Sequence, residues 1–132
     1  MKLKVTFWLI GGIFGLIILI SLAWPCFAHC RTTLMQAQFA GMFVAYKAYT
    51  QEFGTLPETT QNKDFIAALT RNNPKKIVFF DPAPKQLNEK GEILDNWGTP
   101  IRVTLHADEP PLFLSAGKDK IFGTRDDILD KR

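Results

Sequence analysis

Three carboxylates near the end of the chain are the residues best suited to chemistry. Asp119, Asp126 and Asp127 fall in one short stretch, Ser115-Ala116-Gly117-Lys118-Asp119-Lys120-Ile121-Phe122-Gly123-Thr124-Arg125-Asp126-Asp127-Ile128. Carboxylates are hard oxygen ligands, and calcium collects roughly six to eight oxygens from carboxylates and carbonyls. Gly117 and Gly123 let the backbone turn so that carbonyls can face inward. The spacing is not that of an EF-hand, which needs a different Asp pattern and a terminal Glu. Lys118, Lys120 and Arg125 dilute the negative field. The stretch therefore has two readings, a calcium loop or an acidic turn that caps itself through Asp–backbone and Asp–Arg contacts.

Other chemistry lacks its residues, and the reading is of a protein that is not an enzyme. There is no Gly-x-Ser-x-Gly elbow, no phosphate loop and no HExxH. The histidines are His29 and His106, and no Cys/His spacing suits a metal. His106 reads as a surface or hydrogen-bonded structural residue, and Asp95 and Asp108 have no evident acid/base partner. Beyond residue 30 the chain carries 14 basic and 13 acidic residues. Nucleic-acid binding needs clustered Lys and Arg to displace counterions, and the basic pair Lys75-Lys76 reads as a solvated loop.

The elements that must position these residues follow from periodicity. From Thr32 to Phe53, Met35, Phe39, Met42, Tyr46, Tyr49 and Phe53 recur at steps of three and four, which gives one apolar helical stripe. Gly54 stands where a C-terminal cap belongs, and Pro57 follows. A second, short helix is expected from Lys63 to about Arg71, with Asn62 as N-cap and Phe65, Ile66 and Leu69 on its buried edge. Asn72-Asn73-Pro74 stops it. Ile77-Val78-Phe79-Phe80 reads as a short buried run, and Ala83 to Leu94 as irregular. Ile101 to Leu105 alternates as a half-buried strand does, and Leu112-Phe113-Leu114 is the next strand, with Asp108 to Pro111 as the turn between.

Ahead of this lies a membrane segment. No Asp, Glu, Lys or Arg occurs from Val5 to His29. A helix needs roughly 20 such residues to cross a bilayer core. Trp8 and Trp24 flank the run, and Lys2 and Lys4 precede it, which keeps the N-terminus cytoplasmic. A cleaved signal peptide is the competing reading, since Cys26-Phe27-Ala28 offers small residues at the two positions a peptidase reads. The run is longer than the roughly 7–15 residues of a secretory apolar region, which favours an anchor. Gly11 and Gly15 make a GxxxG step of the kind that lets membrane helices approach, or simply reflect the frequency of Gly in such helices. Pro25 kinks or ends the helix there. Cys26 and Cys30 are expected as unpaired, partly buried thiols at the membrane edge.

The helix ending Tyr46-Lys47-Ala48-Tyr49-Thr50-Gln51-Glu52-Phe53-Gly54-Thr55-Leu56-Pro57, the segment Asp95-Asn96-Trp97-Gly98-Thr99-Pro100 and the terminal Ser115 to Ile128 stretch occur in one order. Together they resemble the GspG-type major pseudopilins of type II secretion, from about Thr32 onward. The resemblance implies an α+β, pilin-like fold: a long N-terminal helix, transmembrane then amphipathic, on a small antiparallel sheet with an ordered C-terminal loop. It divides the chain into a cytoplasmic tip and inner-membrane anchor, residues 1–30, and a periplasmic domain, residues 31–132. It implies calcium in the loop, with Asp119 matching the first carboxylate, Asp126 and Asp127 the later pair, and carbonyls from nearby residues such as Leu114, Ser115 and Ile128. Lys120 replaces a glycine usual in the family, which would strain the turn. Trp97, with Gly98 and Pro100, is expected to tie the sheet to the long helix, the alternative being an exposed binding aromatic. The partners implied are other pseudopilins or secretion-apparatus subunits, including copies of the chain itself, and the lipid bilayer. The family's N-terminal pattern of a glycine cut site followed by a glutamate in the apolar helix does not occur in Val5 to Gly11. That carboxylate offers a counter-charge to a neighbour's N-terminal amine inside the membrane. Its absence supports the alternative of a stand-alone, membrane-anchored periplasmic binding or adaptor protein that keeps an uncleaved anchor.

Overall fold

The computed structural model describes residues 30–56, 61–106 and 109–130. The expected anchor segment, its glycine step and Cys26 lie outside them. Among the described residues no helix is long and apolar enough to cross a membrane. The chain divides into two compact units, Met1–Thr33 and Leu34–Arg132. Cys30 is exposed and its thiol is unpaired, not partly buried as expected.

Among its described residues the second unit is an α+β fold with two α-helices and a three-stranded antiparallel sheet. Helix α1 runs over residues 30–53, of which residues 34–53 belong to this unit. Its apolar stripe is the core side: Met35, Phe39, Met42, Ala45 and Tyr49 are buried, and Tyr46 and Phe53 pack on the same cluster half-buried. The helix stops at Gly54, whose φ of +89° suits glycine alone and whose N–H donates to the Thr50 carbonyl at 2.8 Å.

Helix α2, Asn62–Thr70, is short and amphipathic, with Phe65, Ile66, Ala68 and Leu69 buried. Asp64 sits in its first turn, where the helix dipole favours a negative charge. The cap position belongs to Gln61, and its side chain makes no capping bond. Asn62, expected as the cap, lies inside the helix and is turned into the core. Its Nδ2 donates to the Ile93 carbonyl at 3.0 Å and the Ile101 carbonyl at 2.6 Å, and its Oδ1 accepts from the Ile93 N–H at 2.8 Å. The reason is a demand from elsewhere. The 93–101 segment presents buried backbone groups that only a side chain carrying both donor and acceptor satisfies.

The Ile77–Phe80 run is not the buried run expected. Val78 is exposed, and Ile77, Phe79 and Phe80 are half-buried. The N–H groups of Phe79 and Phe80 both donate to the Leu69 carbonyl, at 2.9 and 3.1 Å. The run thus satisfies a carbonyl that the end of α2 leaves without a helical partner. Asn73 fixes the turn before it, donating to the Ala68 and Ile77 carbonyls and accepting from the Ile77 N–H. Phe79 also joins Tyr49 and Phe53 in an aromatic cluster with centroids 4.8–6.0 Å apart. Lys75 lies over Phe53 and pairs with Glu52, so this lysine is less detached than a solvated loop suggests.

The sheet order is β1-β2-β3, with β1 Arg102–His106, β2 Glu109–Ser115 and β3 Ile128–Leu129. β2 begins earlier than expected: Glu109, Pro110 and Pro111 belong to the strand, not to the turn. The ladder explains how two prolines fit. Pairing is regular from Arg102↔Leu114 to Thr104↔Leu112, then slips before His106↔Glu109. Prolines lack an N–H for the ladder and are tolerated where it breaks. β3 lies in the tail that the sequence reads as loop. Phe113, in the central strand, is the middle of the core, stacked on Phe39 of α1 at 5.8 Å and edge-on to Phe65 of α2 at 5.7 Å.

Candidate functional site

The C-terminal loop connects β2 to β3, so its two ends are held side by side, Ser115 against Ile128 and Leu114 against Leu129. At its start Gly117 has a φ of +67°, and a Cβ added there would stand 1.9 Å from the Asp126 carbonyl oxygen. The loop therefore closes on itself backbone to backbone, and that contact requires glycine. Lys120 has a φ of +61°, the left-handed conformation that a glycine would adopt without strain.

Asp119 is exposed. Its Oδ1 accepts from the Ile121 N–H at 3.0 Å. That bond, joined by one from the Thr124 hydroxyl, holds its carboxyl below the ordinary carboxylate value. Asp127 is half-buried. Its Oδ2 accepts from the Gly123 N–H at 2.8 Å, while its Oδ1 is buried with no hydrogen-bond partner among the described residues. The Asp126 side chain is exposed, and its N–H donates to the Thr124 hydroxyl at 3.3 Å. The Asp–backbone contacts of a self-capping turn are thus present.

A calcium ion fits these residues in part. The Asp127 Oδ1 is a desolvated carboxylate oxygen still short of a donor, which a hard cation would satisfy. Asp119 keeps its charge to lower pH than a free carboxylate would. On the other side, no three His, Cys, Asp or Glu side chains converge as a ready metal site among the described residues. Leu114, Ser115 and Ile128, named as carbonyl donors, all lie in the β2–β3 ladder, where a carbonyl engaged by the neighbouring strand keeps one lone pair for anything else.

A second constellation sits beneath the loop, around Asp95. This carboxylate is 6% exposed. Its Oδ1 accepts from the N–H groups of Trp97 at 2.9 Å and Thr99 at 2.8 Å, and its own N–H donates to the Thr99 carbonyl at 2.8 Å. Gly98, at a φ of +84°, donates to the Asp95 carbonyl and completes the turn. The Asp95 Oδ2 accepts from the Ser115 hydroxyl at 2.7 Å, and the Ser115 Oγ accepts from the Gly117 N–H at 3.1 Å. The Asp95–Pro100 and Ser115–Ile128 segments, separate in sequence, are therefore joined through buried polar atoms. Trp97 is half-buried against the core cluster, and Pro100 is exposed but bridges to Leu94. Sequence reasoning assigned Asp95 no role, yet an Asx-turn signature was there to be read in Asp95-Asn96-Trp97-Gly98.

Two further bonds tie the sheet side to α1: Gln36 Nε2 to the Leu129 carbonyl at 2.9 Å, and Gln38 Nε2 to the Leu94 carbonyl at 3.1 Å. Arg102 of β1 lies 4.2 Å from the Phe122 ring and fastens the loop over the sheet. His106 is exposed at the end of β1. Asp108 lies outside the described residues. Compared with family models, curated proteins and solved structures, the chain matches none.

Proposed function

We propose that this protein is a pseudopilin-like structural subunit of a type II secretion or related pilus-type apparatus, anchored in the inner membrane with its folded domain in the periplasm. The observation that carries the reading is the Asp95–Ser115–Gly117 junction. It links two of the three sequence segments on which the resemblance to GspG-type pseudopilins rests. The arrangement of a long helix with its apolar stripe on a small antiparallel sheet, closed by a structured loop, is also what a pilin-like subunit requires. Other pseudopilins, copies of the same chain and the bilayer are its proposed partners. Cross-linking in intact cells, followed by mass spectrometry of the membrane fraction, tests this. A ladder of self-multiples or adducts with other pilin-type subunits is expected. A protein that stays monomeric and captures no such subunit would overturn assembly and leave the stand-alone anchored adaptor, which the absence of a glutamate from the apolar segment favours.

Within that proposal the loop takes calcium through Asp127, with Asp119 and Asp126 contributing charge and carbonyls completing the oxygen set. The carrying observation is the partnerless Asp127 Oδ1. Binding to the folded form alone stabilises by RT ln(1 + [L]/Kd), roughly 2.7 kcal/mol at a hundredfold excess over Kd. The domain should melt higher in millimolar calcium than in chelator, magnesium should substitute poorly, and Asp127→Asn or Asp119→Ala should remove most of the gain. Equal melting temperatures in calcium and chelator would leave the loop a self-capped turn.

A further inference from the structure

We draw no further inference here: the strongest candidate, the outward face of the three-stranded sheet where Leu112 and Leu129 stand exposed, is an unpartnered apolar face, and nothing in the structure shows what covers it.

Discussion

Replacing Asn62 by alanine removes a side chain that makes three buried hydrogen bonds to a segment 31 to 39 residues away. The cost can be worked atom by atom. The Ile93 carbonyl keeps a partner, because it also accepts from the Ile101 N–H at 3.0 Å. The Ile93 N–H and the Ile101 carbonyl each lose the partner that Asn62 supplied. A buried polar group left unsatisfied costs about 1–3 kcal/mol, so two of them should cost about 2–6 kcal/mol. That is a large share of the roughly 5–15 kcal/mol expected for a domain of this size. It should lower the melting temperature by about 10 °C or more. The assay is urea unfolding of residues 34–132, followed by Trp97 fluorescence, since the other tryptophans, Trp8 and Trp24, lie outside that span. Asn62→Asp separates the tie from a helix cap. Aspartate caps as well as asparagine does, so a cap would survive the change. A tie would not, because the carboxylate loses both donated bonds and faces two carbonyls. An aspartate variant within about 0.5 kcal/mol of wild type, with alanine costing only the ~1 kcal/mol of a lost cap, would refute the tie.

Two further perturbations probe the loop. Gly117→Ala places a Cβ against the Asp126 carbonyl at a positive φ. It should destabilise by at least ~2 kcal/mol and speed protease cleavage between Lys118 and Arg125; unchanged cleavage and stability would show that the closure does not constrain the loop. Asp119, held below the ordinary carboxylate value by the Ile121 N–H and Thr124, should titrate by NMR at lower pH than an unperturbed aspartate. Its carboxylate is favoured in the folded state, so its stabilisation is present above the unfolded value and is lost as pH falls through the lower folded one. Asp119→Asn should therefore flatten the acid limb of the stability curve, and a wild-type-like limb would remove that role.

The helices were legible because their signal is local. The spacing of Met35, Phe39, Met42 and Tyr49 fixes which side of α1 is buried, and Gly54 ends it by its own backbone freedom. The half-buried alternation of β1 was equally readable. What failed depends on partners far along the chain. Asn62 at a helix start is a cap by local rules, and only the backbone needs of Ile93 and Ile101 turn it inward. Ile77 to Phe80 looks like a buried run by composition, but its N–H groups are drawn to the Leu69 carbonyl at the end of α2. The prolines before Leu112 mark a turn unless the ladder is known to slip beside them. In the loop, the acidic residues and glycines were visible, whereas the contact between Gly117 and Asp126 and the buried Oδ1 of Asp127 arise only when the chain closes. Asp95 shows the same division: its turn is written in Asp95 to Gly98, while its bond to Ser115 is not.

The Gln36–Leu129 bond joins residues 93 apart, and β3 supplies the second neighbour of the central strand. That ordering has a consequence for a chain that emerges into its compartment from the N-terminal side. Until Ile128 and Leu129 arrive, β2 has one open edge, and an open edge is a template for pairing with another chain. In the proposed topology the domain would wait at the membrane with its sheet unfinished, and the last of the three strands to be delivered is the one that seals it. Crowding of several chains at the same exit would then favour mispairing along β2, whereas any factor that shields that edge during delivery would raise the yield of folded protein without touching its final stability.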